Sequence, residues 1–225
     1  MKRSIFNSGG LFVIGTDTEV GKTYVTCQLA RLLVERALRV GVYKPVASGC
    51  AIDEAGERAT DAWQLREAAG LDCELVHVCP QQFAAAVAPP IAAAREGRLI
   101  DDRLLLTGAN YWLGRCDSLI VEGAGGALSP ISNDQTVLDL AVQFGYPILM
   151  VAANRLGTIN HTLLTLEAAQ KRGLQVIAIV LNSLPADLTS PEDAQANYDL
   201  IKQFVSSIPI MRIEDLSAWV DQISR

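Results

Sequence analysis

The stretch "FVIGTDTEVGKTYV", residues 12–25, joins an apolar strand to a loop and then to the start of a helix. The loop ends in Gly21-Lys22-Thr23, and a long run with helical spacing follows it. In a strand–loop–helix unit of this kind, backbone N–H groups of the loop and of the helix N-terminus bind phosphate. The lysine reaches the outer phosphates, and the hydroxyl after it binds Mg²⁺. The stretch therefore predicts a nucleotide-binding α/β protein.

This loop departs from the usual G-x4-GK[ST] spacing. The first glycine of that pattern would stand at position 16, where the chain has Thr16, and Gly15 lies one place earlier. Because backbone N–H groups form the phosphate cradle, one extra residue leaves the mechanism possible. The alternative is an ordinary strand–helix turn that binds nothing. The loop also carries Asp17 and Glu19, two carboxylates that can point outward or cap local N–H groups.

Composition and charge predict a single domain over residues 1–225 that is soluble and cytoplasmic. Half of the residues are hydrophobic and 20% are charged, as in ordinary globular proteins. The net charge is −6 and no segment concentrates Lys and Arg, which argues against nucleic acid as a partner. No stretch has the roughly 18 apolar residues that a membrane span needs. Five scattered cysteines indicate a reduced protein rather than a disulfide framework or a zinc site.

Short apolar runs alternate with longer stretches of helical spacing along the chain. The runs that predict buried strands are residues 11–15, 39–44, 117–123, 146–152 and 174–182. The helical stretches are residues 21–38, 136–145, 158–173 and 190–207, with a further helix near 60–69. This alternation predicts a mostly parallel central sheet with helices on both faces, of the P-loop NTPase type. Ligands of such sheets bind at the carboxyl ends of the strands.

A second motif, "GVYKPVASG" (41–49), closes the second predicted strand on the ligand side of the sheet. Lys44 precedes a proline, so its backbone is extended rather than helical. We interpret Lys44 as a candidate active-site cation, with Ser48 as a hydrogen-bonding partner in the same loop. The alternative is a solvated surface lysine.

A third motif, "LIVEGAGGALSP" (119–130), ends another apolar run on Glu122. Many P-loop proteins keep an acid at this point of the sheet, where it helps to hold Mg²⁺. Gly123 and Gly125 allow the backbone to approach a ligand closely. The alternative is a glycine-rich turn with a surface glutamate.

Three weaker signals remain. Asp61 opens a predicted helix, where a first-turn acid is also common for structural reasons. Asn182 ends the fifth predicted strand and can either read a nucleotide base or cap a turn. The segment 154–162 contains a helix start whose N–H groups suit a carboxylate, whereas His161 by itself favours a structural role.

Taken together, these motifs resemble the dethiobiotin synthetase family. The matching segments are "GTDTEVGKT", "YKPVASG", "VEGAGG", "LGTINHTLLT" and the "LN" at 181–182, which run in order through most of the chain. The first two segments side by side are quite specific to this family. Plasmid-partition ATPases, which are other P-loop relatives, carry a lysine early in the loop that is absent here.

The resemblance implies an ATP-dependent ligase of biotin synthesis. The family converts 7,8-diaminononanoate, CO₂ and ATP into dethiobiotin, ADP and phosphate, through a carbamate and a carbamic-phosphoric anhydride. It also implies bound Mg²⁺ and a homodimer whose substrate lies at the subunit interface. The expected partners are therefore small molecules and a second copy of the chain, without nucleic acid or membrane.

The resemblance also implies roles for individual residues. The implied catalytic residues are Lys44, Lys22 and Thr18, and the implied metal ligands are Thr23, Asp61 and Glu122. Nucleotide binding is implied for Glu19, Val20, Gly21, Lys22, Thr23, Tyr24, Glu122, Gly123, Ala124, Gly125 and Asn182. Substrate binding is implied for Ser48 and Glu19, and for Gly157, Thr158 and Asn160 from the partner chain. Because the family's substrate is a diamine, the resemblance gives the carboxylate of Glu19 a role in meeting an amine of the substrate or a metal-bound water. A phosphate loop by itself gives no reason for an acid there.

Two departures from the family receive no assigned role. Pro90 stands where the family often has histidine, and residues 206–225 hold no clear copy of a loop that lies near the adenine in relatives. A competing hypothesis is a P-loop ATPase switch that acts through partner binding. The lack of a basic patch or a terminal amphipathic anchor argues against it. A third hypothesis, a member that binds without catalysis, is disfavoured by the intact Lys22, Lys44 and Glu122.

Overall fold

A six-stranded parallel sheet forms the centre of the chain in a computed structural model that describes residues 9–50, 60–184 and 189–223. The strands are β1 (Gly10–Gly15), β2 (Val40–Tyr43), β3 (Val46–Ala47), β4 (Gln81–Gln82), β5 (Ser118–Gly126), β6 (Ile148–Ala153), β7 (Val176–Asn182) and β8 (Ile210–Arg212). The main sheet has the order β2-β5-β1-β6-β7-β8, while β3 and β4 form a separate parallel pair. The predicted parallel sheet is therefore confirmed.

Helices surround this sheet. They are α1 (Lys22–Glu35), α2 (Thr60–Ala68), α3 (Leu75–Val78), α4 (Pro89–Arg95), α5 (Asp102–Thr107), α6 (Val137–Phe144), α7 (Thr158–Lys171), α8 (Pro191–Phe204) and α9 (Leu216–Ile223). Two 3₁₀ helices, Gly108–Trp112 and Ile213–Asp215, lie among them. None of the described helices combines the length and the apolar character that crossing a membrane requires.

The central strands carry the core. Every residue of β1 and of β6 is buried. Since successive side chains of a strand point to opposite faces, both faces of the sheet must be covered. Helix α1 packs against β1, β2 and β5, and α7 packs against β6 and β7.

The sequence located five strands of the main sheet but not the sixth, β8. This strand has only three residues and pairs through Ile179↔Ile210 with the neighbouring strand β7. A run so short has no periodicity of its own, so its state depends on a partner distant in sequence. The short helices α3, α4 and α5 were also not located individually. The prediction of one domain over 1–225 includes segments outside the described residues.

The parallel arrangement brings the carboxyl ends of the strands, and the segments that follow them, to one edge of the sheet. The phosphate loop follows β1, the Lys44 loop follows β2, and Glu122 lies within β5. The pairing of β1 with β5 runs in register to Val13↔Glu122 and resumes at Gly15↔Gly126, so β5 bulges between these points. A bulge redirects the side chains beside it. The glycine-rich segment after Glu122 is therefore displaced from the regular ladder toward the β1 loop.

Candidate active site

The phosphate loop wraps around the side chain of Lys22. Lys22 is 7% exposed, and its Nζ donates to the carbonyl of Asp17 at 3.0 Å. A Cβ atom at Gly15 would lie 2.8 Å from Lys22 Nζ and 2.8 Å from Asp17 O. Gly15 therefore provides the space that lets the lysine fold back across its own loop. This explains why a glycine is found there despite the unusual spacing.

Burial also changes the acid–base behaviour of Lys22. Its removal from water lowers its pKa to about 8, and the nearby charge of Glu122 offsets part of that effect. The ammonium form is thus less favoured than at the surface, although its carbonyl contact remains. An arriving polyanion would favour the charged form again.

Two residues of the loop have left-handed backbone conformations. Gly21 has φ 85°, which is unstrained for glycine, whereas Glu19 has φ 56°. The conformation of Glu19 is uncommon for a residue with a side chain, and it turns the chain just before the helix. Asp17 has a different function in the loop, because its Oδ1 accepts a hydrogen bond from Thr18 N at 2.7 Å. Asp17 is therefore a local cap.

Three charged side chains and the hydroxyl of Thr23 form a connected group beside the loop. Glu122 is fully buried, and its Oε1 accepts from Thr23 Oγ1 at 2.7 Å and from Lys44 Nζ at 2.8 Å. The ammonium of Lys44 also contacts Asp61 Oδ2. Glu122 comes from β5, Lys44 from the end of β2 and Asp61 from the first turn of α2. Three separate elements thus place their charges at one point.

The pairing decides the charge state of Lys44. Burial of its side chain opposes the charged form, but the carboxylates of Glu122 and Asp61 outweigh burial, so the pKa of Lys44 is raised. Lys44 therefore stays an ammonium in a position where an unpaired lysine would tend to lose its proton. Among the described residues, Glu122 Oε2 has no hydrogen-bond partner, although it is fully enclosed.

A cavity of about 660 Å³ opens above this group. Its charged and polar lining consists of Thr18, Glu19, Lys22, Thr23, Lys44, Ser48, Asp61 and Ser129. Its apolar wall is formed mainly by Ala86, Val87, Ala88 and Pro89, and the volume is within the usual range for a small-molecule site. One side of the cavity therefore suits phosphate and the other suits a hydrocarbon chain.

Most of this chain matches a protein family model and relatives of known name. The AAA domain family matches residues 9–217. The ATP-dependent dethiobiotin synthetase BioD of Rhodopirellula baltica is 42% identical over 204 residues, which cover 86% of this chain and 79% of that protein. Its namesake from Anaeromyxobacter dehalogenans is 46% identical over 184 residues, 82% of this chain and 78% of that protein. The chain belongs to the dethiobiotin synthetase family. The resemblance carried by "GTDTEVGKT" and "YKPVASG" is thus confirmed.

A solved structure extends the comparison beyond the dethiobiotin synthetase family. The structure of pNOB8 ParA bound to nonspecific DNA matches with a TM-score of 0.53, covering 88% of this chain and 75% of that chain. The two sequences are only 11% identical. The likeness therefore concerns the fold, which is the P-loop NTPase architecture that the sequence predicted.

Most of the predicted site residues of this dethiobiotin synthetase family member lie at the cavity. Those that line it are Thr18, Glu19, Gly21, Lys22, Thr23, Lys44, Ser48, Asp61, Ala124 and Gly125. Glu122 lies beneath the cavity floor and is connected to it through Thr23 and Lys44. Val20, Tyr24, Gly123 and Asn182 are not part of the lining. The first three are chain neighbours of lining residues, and Asn182 packs against Gly21.

The loop before α7 lies apart from this cavity. Gly157 and Asn160 are exposed, Thr158 is buried, and none of the three lines the cavity of the same chain. Gly157 has φ 91° and begins the helix, and Leu156 beside it is 98% exposed. The structure therefore brings the phosphate loop, Lys44 and Glu122 together but leaves this predicted substrate loop at the surface.

Sequence reasoning missed the residues that shape the rest of the cavity. Ser129 lines it, and its Oγ accepts from Gly126 N at 2.9 Å, which holds the glycine-rich turn. The wall at 86–89 is a short run of small apolar residues without a motif that would predict a site. The chain just before this wall is held by two contacts, because Gly49 N donates to Ala85 O at 2.9 Å and Ala84 N donates to Glu96 Oε1 at 2.7 Å. A glutamate twelve residues downstream gives no sequence signal of this role.

Proposed function

We propose that this chain is an ATP-dependent ligase that closes the ureido ring of dethiobiotin from 7,8-diaminononanoate and CO₂. The observation that carries the proposal is the convergence of Lys22, Lys44 and Glu122 on one cavity, in a member of the dethiobiotin synthetase family. The names of the relatives, ATP-dependent dethiobiotin synthetase, give the reaction. The cavity has the two halves that this reaction needs.

The nucleotide half is the phosphate loop. Its backbone N–H groups and the start of α1 take the triphosphate, and Lys22 turns from the carbonyl of Asp17 to the outer phosphates. Ala124 and Gly125 line the same cavity, and Gly125 lies close to Thr18 of the loop. We assign ATP to this half.

The residues present also fit Mg²⁺. Among the described residues no cluster of three His, Cys, Asp or Glu side chains occurs, yet Mg²⁺ typically uses only one or two carboxylates with substrate phosphates and water. Glu122, with its unpartnered Oε2, Asp61 and the Thr23 hydroxyl supply oxygen donors at one place. When bound, the metal neutralises charge on the phosphates. We propose these three side chains as its holders.

The chemistry has three steps. One amine of the substrate adds to CO₂ and loses a proton, which gives a carbamate. A carbamate oxygen attacks the γ-phosphorus, and ADP leaves. The second amine then attacks the carbonyl carbon of the mixed anhydride and loses a proton, the bond from that carbon to the phosphate oxygen breaks, phosphate leaves and the ring closes. Phosphoryl transfer needs mainly positioning and charge stabilisation, which Lys22 and Lys44 supply from the chain after β1 and after β2, the two strands on either side of β5.

The substrate half lies between Lys44 and the apolar wall. Ser48 is available for a hydrogen bond, and the exposed carboxylate of Glu19 faces the same cavity. A substrate amine is mostly an ammonium ion at neutral pH, so a carboxylate beside the phosphates suits it. The alkyl chain of the substrate packs on the wall at 86–89. Thr18 completes the lining next to Glu19. We assign it a contact with the reacting groups.

We also propose a homodimer that completes the site. Gly157, Thr158 and Asn160 would bind the carboxylate of a substrate held mainly by the partner chain, through the N-terminus of α7. Leu156, which is almost fully exposed beside this loop, would be covered by such an interface.

ADP release tests the proposed function. We expect release to require both diaminononanoate and bicarbonate, and to yield one dethiobiotin for each ADP. Steady ADP release in the absence of the diamine would contradict the ligase and would favour a nucleotide-dependent switch protein instead. An engineered Lys22→Ala chain is the background control, because it removes the cation of the phosphate loop.

A further inference from the structure

The side chain of Asn182 reaches across the sheet edge to the phosphate loop. Asn182 is the last residue of β7 and is 2% exposed. Its Nδ2 donates to the carbonyl of Val20 at 3.1 Å. Strand β6 lies between β7 and β1, so the contact spans two strand spacings, or about 10 Å of sheet. It joins two residues that are 162 positions apart in the sequence.

The backbone of Asn182 is fixed independently of this contact. Asn182 pairs with Ala153 in the β6–β7 ladder, and its carbonyl accepts from Asn154 N at 2.8 Å. Asn154 is itself held, because its Nδ2 donates to Ala194 O at 3.1 Å and its Oδ1 accepts from Asn197 at 3.0 Å. The amide that meets Val20 is therefore anchored to the rigid part of the sheet.

Holding the Val20 carbonyl also orients the next N–H group. The C=O of Val20 and the N–H of Gly21 belong to one planar trans peptide, so they point in opposite directions. With the oxygen held by Asn182, the Gly21 N–H is turned away from Asn182. Gly21 lines the cavity and begins α1, so its N–H is one of the donors that the loop offers to phosphate.

The packing at Gly21 shows how close this fit is. A Cβ atom there would lie well inside the contact distance of Asn182 Nδ2, and 3.2 Å from Leu184 Cδ2. Gly21 also has φ 85°, a conformation that glycine adopts without strain. The loop therefore lies directly against the Asn182 amide, which limits its position on that side.

We infer that Asn182 is a positioning residue for the phosphate loop, acting on the triphosphate whatever base is attached. The inference rests on the proposed use of a nucleoside triphosphate, and it differs from the role implied by resemblance, in which Asn182 reads the base. Base reading acts only on ligands that have a base. Loop positioning acts equally on ligands without one.

Binding of inorganic tripolyphosphate distinguishes the two roles. Titration calorimetry with Mg²⁺ would compare tripolyphosphate, ATP, GTP and CTP on the unchanged chain, Asn182→Ala and Asn182→Asp. We expect all four ligands to lose affinity by a similar factor of about five to ten in Asn182→Ala, as for one lost hydrogen bond. We expect a larger loss in Asn182→Asp, because an ionised carboxylate would face the Val20 carbonyl.

Leu184→Ala is the matched control, since Leu184 also packs beside Gly21 but donates no hydrogen bond. It should leave tripolyphosphate affinity within twofold. In turnover assays, Asn182→Ala should raise the KM for ATP five- to tenfold with kcat within twofold. A merely structural role would instead lower kcat through loss of active protein.

An unchanged tripolyphosphate affinity in Asn182→Ala would overturn the inference. A loss confined to ATP would overturn it in favour of base reading. These outcomes leave the ligase intact, because dethiobiotin formation by the unchanged chain is measured separately. If the unchanged chain bound neither ATP nor tripolyphosphate, the proposed function and the inference would both fall.

Discussion

At the residue scale, the site depends on buried charges that are held in pairs. Lys44 is 5% exposed and Glu122 is fully buried, and each would be costly in that position without the other. Asp61 completes the pairing from a partly exposed position. Such a group rarely exists for stability alone, because apolar residues of the same size fill a core as well. Its place beside a cavity favours a catalytic use.

Lys44→Gln should abolish most turnover without unfolding the chain. Glutamine keeps N–H donors for Glu122 and Asp61 but loses the positive charge that we propose stabilises the reacting phosphoryl group. We expect kcat to fall about a hundredfold or more, with an unchanged circular dichroism spectrum. Lys171→Gln is the control, since Lys171 is an exposed lysine paired with Glu167 on α7. Near-normal turnover in Lys44→Gln would contradict the assignment of Lys44.

The two acids of the phosphate loop should behave differently on substitution. Glu19 lines the cavity, so Glu19→Ala should raise the KM for the diamine about tenfold and change the KM for ATP much less. Asp17 caps Thr18 N and is not part of the lining. Asp17→Ala should therefore disturb the loop without raising the KM for the diamine more than the KM for ATP. Steady-state kinetics with each substrate varied would decide, and a selective effect of Glu19→Ala on ATP would count against this reading.

At the element scale, the C-terminal helix α9 fixes the back of the phosphate-binding helix α1. Trp219 and Val220 are buried, and Arg36 at the end of α1 donates to Asp221 Oδ1 at 2.8 Å and to Ser217 Oγ at 3.1 Å. The helix that presents the phosphate loop is thus supported by the last described element of the chain. Loss of that support should first appear as lower stability.

Trp219→Ala should destabilise the chain by about 3 kcal/mol, the usual cost of emptying a buried aromatic site. Trp63 is 48% exposed, so Trp63→Ala is the control and should cost less than about 1 kcal/mol. Urea unfolding followed by circular dichroism measures both. An equal loss in the free energy of unfolding in the two variants would show that Trp219 does not anchor α9 against the rest of the chain.

The elements also show what sequence can and cannot predict. Strands β1, β5, β6 and β7 are long apolar runs, and the phosphate loop, Lys44 and Glu122 belong to motifs with a chemical reason for each residue. Strand β8 depends on β7 for its pairing, and the wall at 86–89 consists of small apolar residues without a distinctive pattern. Contacts between distant segments, such as Asn182 with Val20, leave no local pattern at all.

At the scale of the whole molecule, the proposed dimer makes a direct prediction. Leu156 is 98% exposed beside the substrate loop at Gly157. Leu156→Lys should shift the equilibrium from dimer toward monomer, as measured by analytical ultracentrifugation. It should also raise the KM for the diamine and leave the affinity for ATP unchanged. Leu99→Lys, at a leucine that is 80% exposed elsewhere, should change neither property. A monomeric unchanged chain, or a fully active dimeric Leu156→Lys, would refute the interface.

The strand order has a consequence for how the protein is made. β1 lies in the middle of the sheet, between β5 and β6. Gly10 pairs with Leu119, so β1 cannot form this ladder until the chain has been synthesised beyond Leu119. During synthesis at roughly 5–20 residues per second, this fully buried strand spends several seconds or more without its neighbours. The phosphate loop is therefore synthesised early, whereas β5 and β6, the strands that flank β1, are synthesised late. A chaperone that binds the chain in that interval would bind β1, because its strand edges are unpaired and its side chains, which are buried in the folded protein, are exposed.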